Sequence, residues 1–334
     1  MEESSACTGG TALYLASQNG HAACVSALLE AHGAALEIAA NGGPTPLYAA
    51  CEKGHEACAR LLLAAGANKD AAQQSGCTPL YTASQHGHEG CVRALVAVGA
   101  RVDAAAVGGY TPLYAACEQG HVTCADALLA AGARVDATQC DGATPLYIAA
   151  ERGNAACMVA LLEAGANAEA VSHGGFTPLH IAAQNGHDAC VLVLLQHGAS
   201  TSARTHSGLA PIDIARAKGR TNIEQALRSC AAGLLPSTAA EAVASVNAAR
   251  RRSADTTAVA ALAPLTISGA LHALPHLVTG QDAVTTPSPA SATAPTAALA
   301  HSARARLASA DRGEAAAASS GDGSLAARAS VDVV

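Results

Sequence analysis

From Leu113 onward the apolar residues fall at helical intervals. Leu113, Ala116 and Cys117 mark one stripe, and Cys124, Leu128 and Leu129 mark a second. Thr111 and Pro112 stand just before the first stripe. A Thr hydroxyl can cap free backbone N–H groups, and Pro suits the first helical position because its missing N–H would be an orphan there. Gly120 ends this short helix and turns the chain, which makes it intolerant of bulky β-branched replacements. His121 opens a second helix that Gly132 ends, and Ala133 to Gly142 is rich in turn residues. One unit is therefore predicted as helix, turn, helix and extended turn.

The unit repeats. Thr45-Pro46-Leu47, Thr78-Pro79-Leu80, Thr111-Pro112-Leu113, Thr144-Pro145-Leu146 and Thr177-Pro178-Leu179 are spaced by 33 residues, with weaker copies at Thr11-Ala12-Leu13 and Ala210-Pro211-Ile212. One extra residue before Gly33 gives the single step of 34 from Thr11 to Thr45. The pattern Gly-x-Thr-Pro-Leu-Tyr/His-x-Ala-x-x-x-Gly-His-x-x-Cys-x-x-x-Leu-Leu-x-x-Gly-Ala resembles the ankyrin repeat over about residues 7 to 230. The resemblance implies an all-α repeat solenoid, a stack of helix-turn-helix units with projecting β-turn or hairpin fingers. It also implies a protein partner on the concave face, lined by fingers and first helices. The motif position after Leu is commonly His in that family; here it is Tyr14, Tyr48, Tyr81, Tyr114 and Tyr147, and His only at His180. The domains expected are a short extension at 1–7, about seven repeats at 8–230 with degenerate first and last caps, and a mostly disordered Ala/Ser/Thr/Pro-rich tail at 231–334. Within the tail, Glu241 to Arg252 is read as a short Ala-rich helix.

Composition narrows the function. Residues 1–230 hold 12 basic and 19 acidic side chains and so carry the whole net charge of −7, while the tail is neutral. An acidic repeat region without Trp is a poor surface for a phosphate backbone or for stacked bases, so nucleic acid is not an expected partner. Ala258 to Val278 contains Pro264, Pro275, His272 and His276, which argues against a membrane span. The acidic, polar start of the chain lacks a signal-peptide pattern, and the twelve Cys then read as reduced thiols. The expected location is the cytoplasm, with the nucleus as an alternative, and the expected state is a monomer.

Four of the regular units pair His with Cys at i, i+3, as in His55/Cys58 and His121/Cys124, and the first unit does so at His21/Cys24. This spacing could suit metal ligands, but the fifth unit has Asn154 beside Cys157, and neighbouring pairs belong to different repeats. Cys in that slot reads instead as a small buried apolar residue, with Cys77 and Cys140 in the turns as the exposed ones. No nucleophile elbow, phosphate loop or His-Glu-x-x-His is present, so neither an enzyme nor a cofactor is expected. Arg250-Arg251-Arg252-Ser253 marks Ser253 as a candidate phosphosite.

What remains is surface. The residue before each Thr is placed at a fingertip, and two of these are aromatic, Tyr110 and Phe176. The ends of the first helices add a polar strip that includes Glu118, Gln119, Glu151, Arg152, Gln184 and Asn185. Aromatic anchors in such a strip fit an interaction surface. The expected function is a non-catalytic scaffold or adaptor for a protein partner. The alternatives are a substrate-recognition subunit of a ubiquitin ligase or other enzyme complex, or a dedicated regulator of an enzyme or transcription factor.

Overall fold

The computed structural model describes residues 11–31, 36–37, 43–234, 240–241 and 243–252. The extension at 1–7 and the tail beyond 252, with the disorder expected there, lie outside these residues. Within them there is no strand, and helices α1 to α14 form seven successive pairs. The first helices are α1 (Ala12–Gln18), α3 (Pro46–Lys53), α5 (Pro79–His86), α7 (Pro112–Gln119), α9 (Pro145–Arg152), α11 (Pro178–Asn185) and α13 (Pro211–Ala217). The second helices are α2 (Ala22–Glu30), α4 (Glu56–Ala64), α6 (Glu89–Ala97), α8 (Val122–Ala130), α10 (Ala155–Glu163), α12 (Asp188–Gln196) and α14 (Thr221–Ala231). First helices pack on first helices and second on second, so the stack has two rows and each repeat touches its neighbours.

The Thr-Pro signal acts locally as expected. The Thr111 hydroxyl accepts the Tyr114 N–H at 3.2 Å, and the same bond recurs from Thr11, Thr45, Thr78, Thr144 and Thr177. At the other end Gly120 takes φ 81°, a left-handed conformation that side chains rarely adopt. Seven- to nine-residue helices are too short to stand alone in water. Their stability comes from the shared core.

That core follows the predicted stripes. Leu113, Ala116, Cys117, Cys124 and Leu128 are buried, but Leu129 is only partly so. Val122 and Ala125 complete the second buried stripe instead, with Val122, Ala125 and Leu128 spaced three residues apart. In α14, the last repeat helix among the described residues, only Ile223 and Leu227 are fully buried, one turn apart; Ala226 and Cys230 pack partly against the core and the rest is polar or exposed. Cys24 is exposed although its counterparts Cys58, Cys91, Cys124, Cys157 and Cys190 are buried. The reason is positional, since among the described residues no repeat packs against that face of the first one. The helix expected near the start of the tail is present at 243–252.

Leu128 is fully buried, so Leu128→Ala should lower stability by about 2–5 kcal/mol. Denaturant unfolding of the two proteins measures this directly, and an unchanged midpoint would contradict the core assignment.

Candidate interaction surface

Each finger is closed by one backbone bond across its base. Ala106 N–H donates to Tyr110 O at 2.9 Å, Gln139 to Ala143 at 3.1 Å, and Ser172 to Phe176 at 3.0 Å. Successive fingers are tied together higher up. Val107 N–H donates to Ser75 O, Cys140 to Gly108, His173 to Asp141 and His206 to Gly174, at 2.9 to 3.3 Å. The true tips are therefore Gln74, Val107, Cys140, His173 and His206, all exposed, with Val107 at 73%. The residue before Thr is not the tip. Cys77 and Ala143 there are buried, and Tyr110, Phe176 and Leu209 are half-buried. The turn is set by the positive-φ glycine two residues before Thr, such as Gly109 or Gly175, so the chain has already reversed by the time it reaches Tyr110 or Phe176. Cys77 is thus not an exposed thiol, whereas Cys140 is.

Tyr110 and Phe176 each lean edge-on against the ring at the repeat's own motif position. Tyr110 meets Tyr114 at a centroid distance of 5.2 Å, and Phe176 meets His180 at 5.9 Å. Such contacts fix both rings while leaving part of each in solvent. The motif-position rings bond onward to the next repeat. His180 Nε2 lies 3.1 Å from Leu209 O, and its Nδ1 lies 2.8 Å from the Thr177 hydroxyl. The tyrosines keep an onward link by another route. The Tyr114 phenol accepts from Gln139 Nε2 at 2.9 Å, Tyr48 hydrogen-bonds with Thr82, and Tyr147 with Ser172.

At the ends of the first helices, Arg152 donates to Glu118 at 2.9 Å from one repeat to the next. Asn185 Nδ2 donates to Glu151 O at 2.9 Å. Gln119 and Arg152 are exposed, while Glu118, Glu151, Gln184 and Asn185 are half-buried. The six strip residues therefore share one row, with Glu118, Arg152, Glu151 and Asn185 in contact across repeat boundaries. Tyr110 and Phe176 sit on fingers two repeats apart.

From the second repeat onward, the residue opening the second helix is a clamp. It does not cap its own helix; its side chain reaches back to a carbonyl at the end of the first helix of the preceding repeat. His55 Nε2 lies 3.1 Å from Gln18 O, His88 Nε2 3.0 Å from Glu52 O, and His187 Nε2 3.0 Å from Glu151 O. His121 bonds to the Gln85 backbone in the same way. Asn154 does the same work with an amide, donating to Cys117 O at 2.8 Å and Glu118 O at 3.0 Å. A Cβ on Gly120 would come within 2.8 Å of Asn154 Oδ1, so the turn glycine also makes room for the clamp.

Among the described residues no three His, Cys, Asp or Glu side chains come together in a way that could hold a metal ion. Burial pushes the thiols of Cys124 and Cys190 up to about 12, which keeps them protonated and unreactive. Ser253 lies outside the described residues. No described helix is long and apolar enough to cross a membrane.

Paired short helices, repeated at a constant interval and joined by tied fingers, define a helical repeat stack. The chain belongs to the ankyrin-repeat family. A family model described as ankyrin repeats in three copies matches residues 2–73, 65–139 and 132–205. The solved human ASB11 ankyrin repeat domain is similar, with 30% identity, a TM-score of 0.60, and coverage of 66% of this chain and 98% of that one. So is the ankyrin repeat domain of Bcl-3, a member of the IkappaB protein family, with 30% identity, a TM-score of 0.59, and coverage of 66% and 99%. No curated protein sequence matches the chain.

Two predictions follow from the clamp and the rings. Asn154→Leu strands two carbonyls and should cost about 1–3 kcal/mol, whereas Asn154→His, the residue of the neighbouring repeats, should keep most of the stability. Equal losses in both variants would contradict the clamp. Burial also holds His88, His121 and His180 below the usual imidazole range. The unfolded chain titrates its histidines near about pH 6.5, so below that it binds more protons than the folded chain. Stability should be full above this pH and fall as the pH drops through it towards the lowered values. A thermal midpoint that stayed flat or rose between pH 7.5 and pH 5 would contradict the assignment.

Proposed function

We propose that the protein is a non-catalytic interaction scaffold or adaptor that binds a protein partner on its concave side, across the fingers and the ends of the first helices. Ankyrin repeats generally serve as protein–protein interaction modules. The observation that carries the reading here is the way Tyr110 and Phe176 are held. Each ring is braced edge-on by a neighbour, so little rotamer freedom is lost when a partner covers the part still in solvent. Around them lie an exposed apolar tip at Val107 and the polar strip with Gln119 and Arg152. That combination of a few preorganised aromatic anchors with a polar rim is the usual anatomy of an interface hot spot. The backbone ties between fingers make the surface one rigid presentation rather than five separate loops.

The test is affinity capture from native lysate with the full chain and with a Tyr110→Ala/Phe176→Ala variant whose thermal unfolding confirms an intact stack. The expected result is a defined partner whose affinity drops by at least about 30-fold in the variant, equivalent to about 2 kcal/mol. Undiminished capture by the variant, or capture that follows residues 253–334 instead, would remove the function from this surface.

A further inference from the structure

The helical segment 243–252 lies beyond the last repeat in sequence, yet it contacts repeats far behind it. Arg250 donates to both carboxylate oxygens of Asp126 in α8, at 2.6 and 3.1 Å, and to Glu163 at the end of α10, at 2.5 Å. Bidentate pairing of this kind fixes geometry as well as charge, and the Arg250 side chain is only 22% exposed. The rest of the segment agrees. Val243, Val246, Asn247 and Arg250 are spaced i, i+3, i+4 and i+7 and form its covered face, while Ala244, Ser245, Ala248 and Ala249 are exposed. Val243 is buried in the same core as the repeats, and Val246 packs against it.

The repeats carry a matching irregularity. Asp126 occupies the register position that holds Arg60 and Arg93 in the two preceding repeats, both exposed. One repeat further on the position is Val159, and it is only 1% exposed. An apolar side chain at an outward position needs a cover, and the two carboxylates gripped by Arg250 bracket it, one at the same register on α8 and one a helical turn further along α10. The connection is long enough for the cover to come from the same chain. Packed helices lie about 8–10 Å apart, so α14 stands roughly 20–30 Å from α10 and α8. The eight residues 232–239 between α14 and the helical stretch span up to about 26 Å.

We infer that the outer face of α8 and α10 is a docking groove for a basic amphipathic helix, and that the chain's own segment 243–252 fills it in cis as a tethered strap. The groove's chemistry defines its ligand: two apolar side chains one turn apart, followed one turn later by an arginine. The acidic stack and the Arg-bearing segment are electrostatically complementary. Any partner helix using this groove must displace the strap first.

Hydrogen exchange on the full chain tests this. In the native protein the amides of 243–252 should exchange about tenfold or more slowly than the free segment. Arg250→Glu should remove that protection while circular dichroism and the exchange of α7 to α10 stay as in the native protein. Val159→Arg should do the same, and it is expected to fold because Arg60 and Arg93 already stand at that register. Reversing the partners, Asp126→Arg with Glu163→Arg in the Arg250→Glu background, should restore protection. Light scattering should report a monomer throughout. Free exchange in the native segment, protection indifferent to Arg250→Glu or Val159→Arg, failure of the reversal to restore it, or a dimer that carries the protection would each overturn the proposal.

Discussion

Every first helix in the stack ends with backbone carbonyls that have no partner in their own helix. For α1, α3, α5, α7, α9 and α11 the next repeat supplies one, from the side chain that opens its second helix, and this bond couples local helix termination to repeat stacking. His55, His88, His121 and His187 reach back with an imidazole, and Arg220 does so at the closing repeat with a guanidinium that donates to Asn185 O at 3.2 Å. The requirement is therefore a donor of suitable reach, not an imidazole as such. Asn154 meets it with two bonds where the histidines make one. The same requirement accounts for the His-Cys spacing that resembles a ligand pair. In His55/Cys58, His88/Cys91, His121/Cys124 and His187/Cys190 the His faces the preceding repeat and the Cys faces the core, so the two side chains of each of these pairs serve separate contacts.

Once the clamps fix the register, other ties fall into place at the same interval. Asp70 accepts the Arg101 N–H at 2.8 Å, Asp103 accepts that of Arg134 at 2.9 Å, and Asp136 accepts that of Asn167 at 3.1 Å. The fingers bond tip to tip through backbone alone. Since that ladder uses no side chain, the tip residues are released from structural duty. Gln74, Val107, Cys140, His173 and His206 have little in common chemically, which is what a surface free to serve recognition allows. Tyr110 and Phe176 stand one step inward, tied to the fold on one side and open on the other.

The sequence announced features whose cause lies within a few residues. Thr-Pro starts, left-handed glycine stops and the constant interval are all local chemistry, and each stands where it was expected, while the apolar stripes do so except at Leu129, which is only partly buried. The fingertips lie three residues before the positions expected from the Thr signal, because the reversal is governed by the glycine two positions before Thr. Cys24 is exposed, against the pattern of its slot, because burial there depends on a neighbouring repeat. The tyrosines at the motif position left their bonding open, and the answer lay in Thr82, Gln139 and Ser172, each on the following repeat. The contact of Arg250 with Asp126 spans 124 residues and arises from an Ala-rich stretch with two valines, a pattern too sparse to signal where it docks.

The boundary between the fourth and fifth repeats gathers these threads. It is the one interior joint clamped by Asn154 rather than His. It is also where Arg152 crosses to Glu118 on the first-helix row and where Arg250 crosses from Asp126 to Glu163 on the second-helix row. Ties on both rows resist hinging more effectively than either alone, because a stack that opens on one side must close on the other. On the functional reading proposed above, Tyr110 and Phe176 lie on the fingers that lead into the fourth and sixth repeats. A stiff joint between those fingers keeps the two rings at a fixed separation. That separation is what lets two modest anchors act as one site, since the second ring then engages a partner without a further loss of orientational freedom.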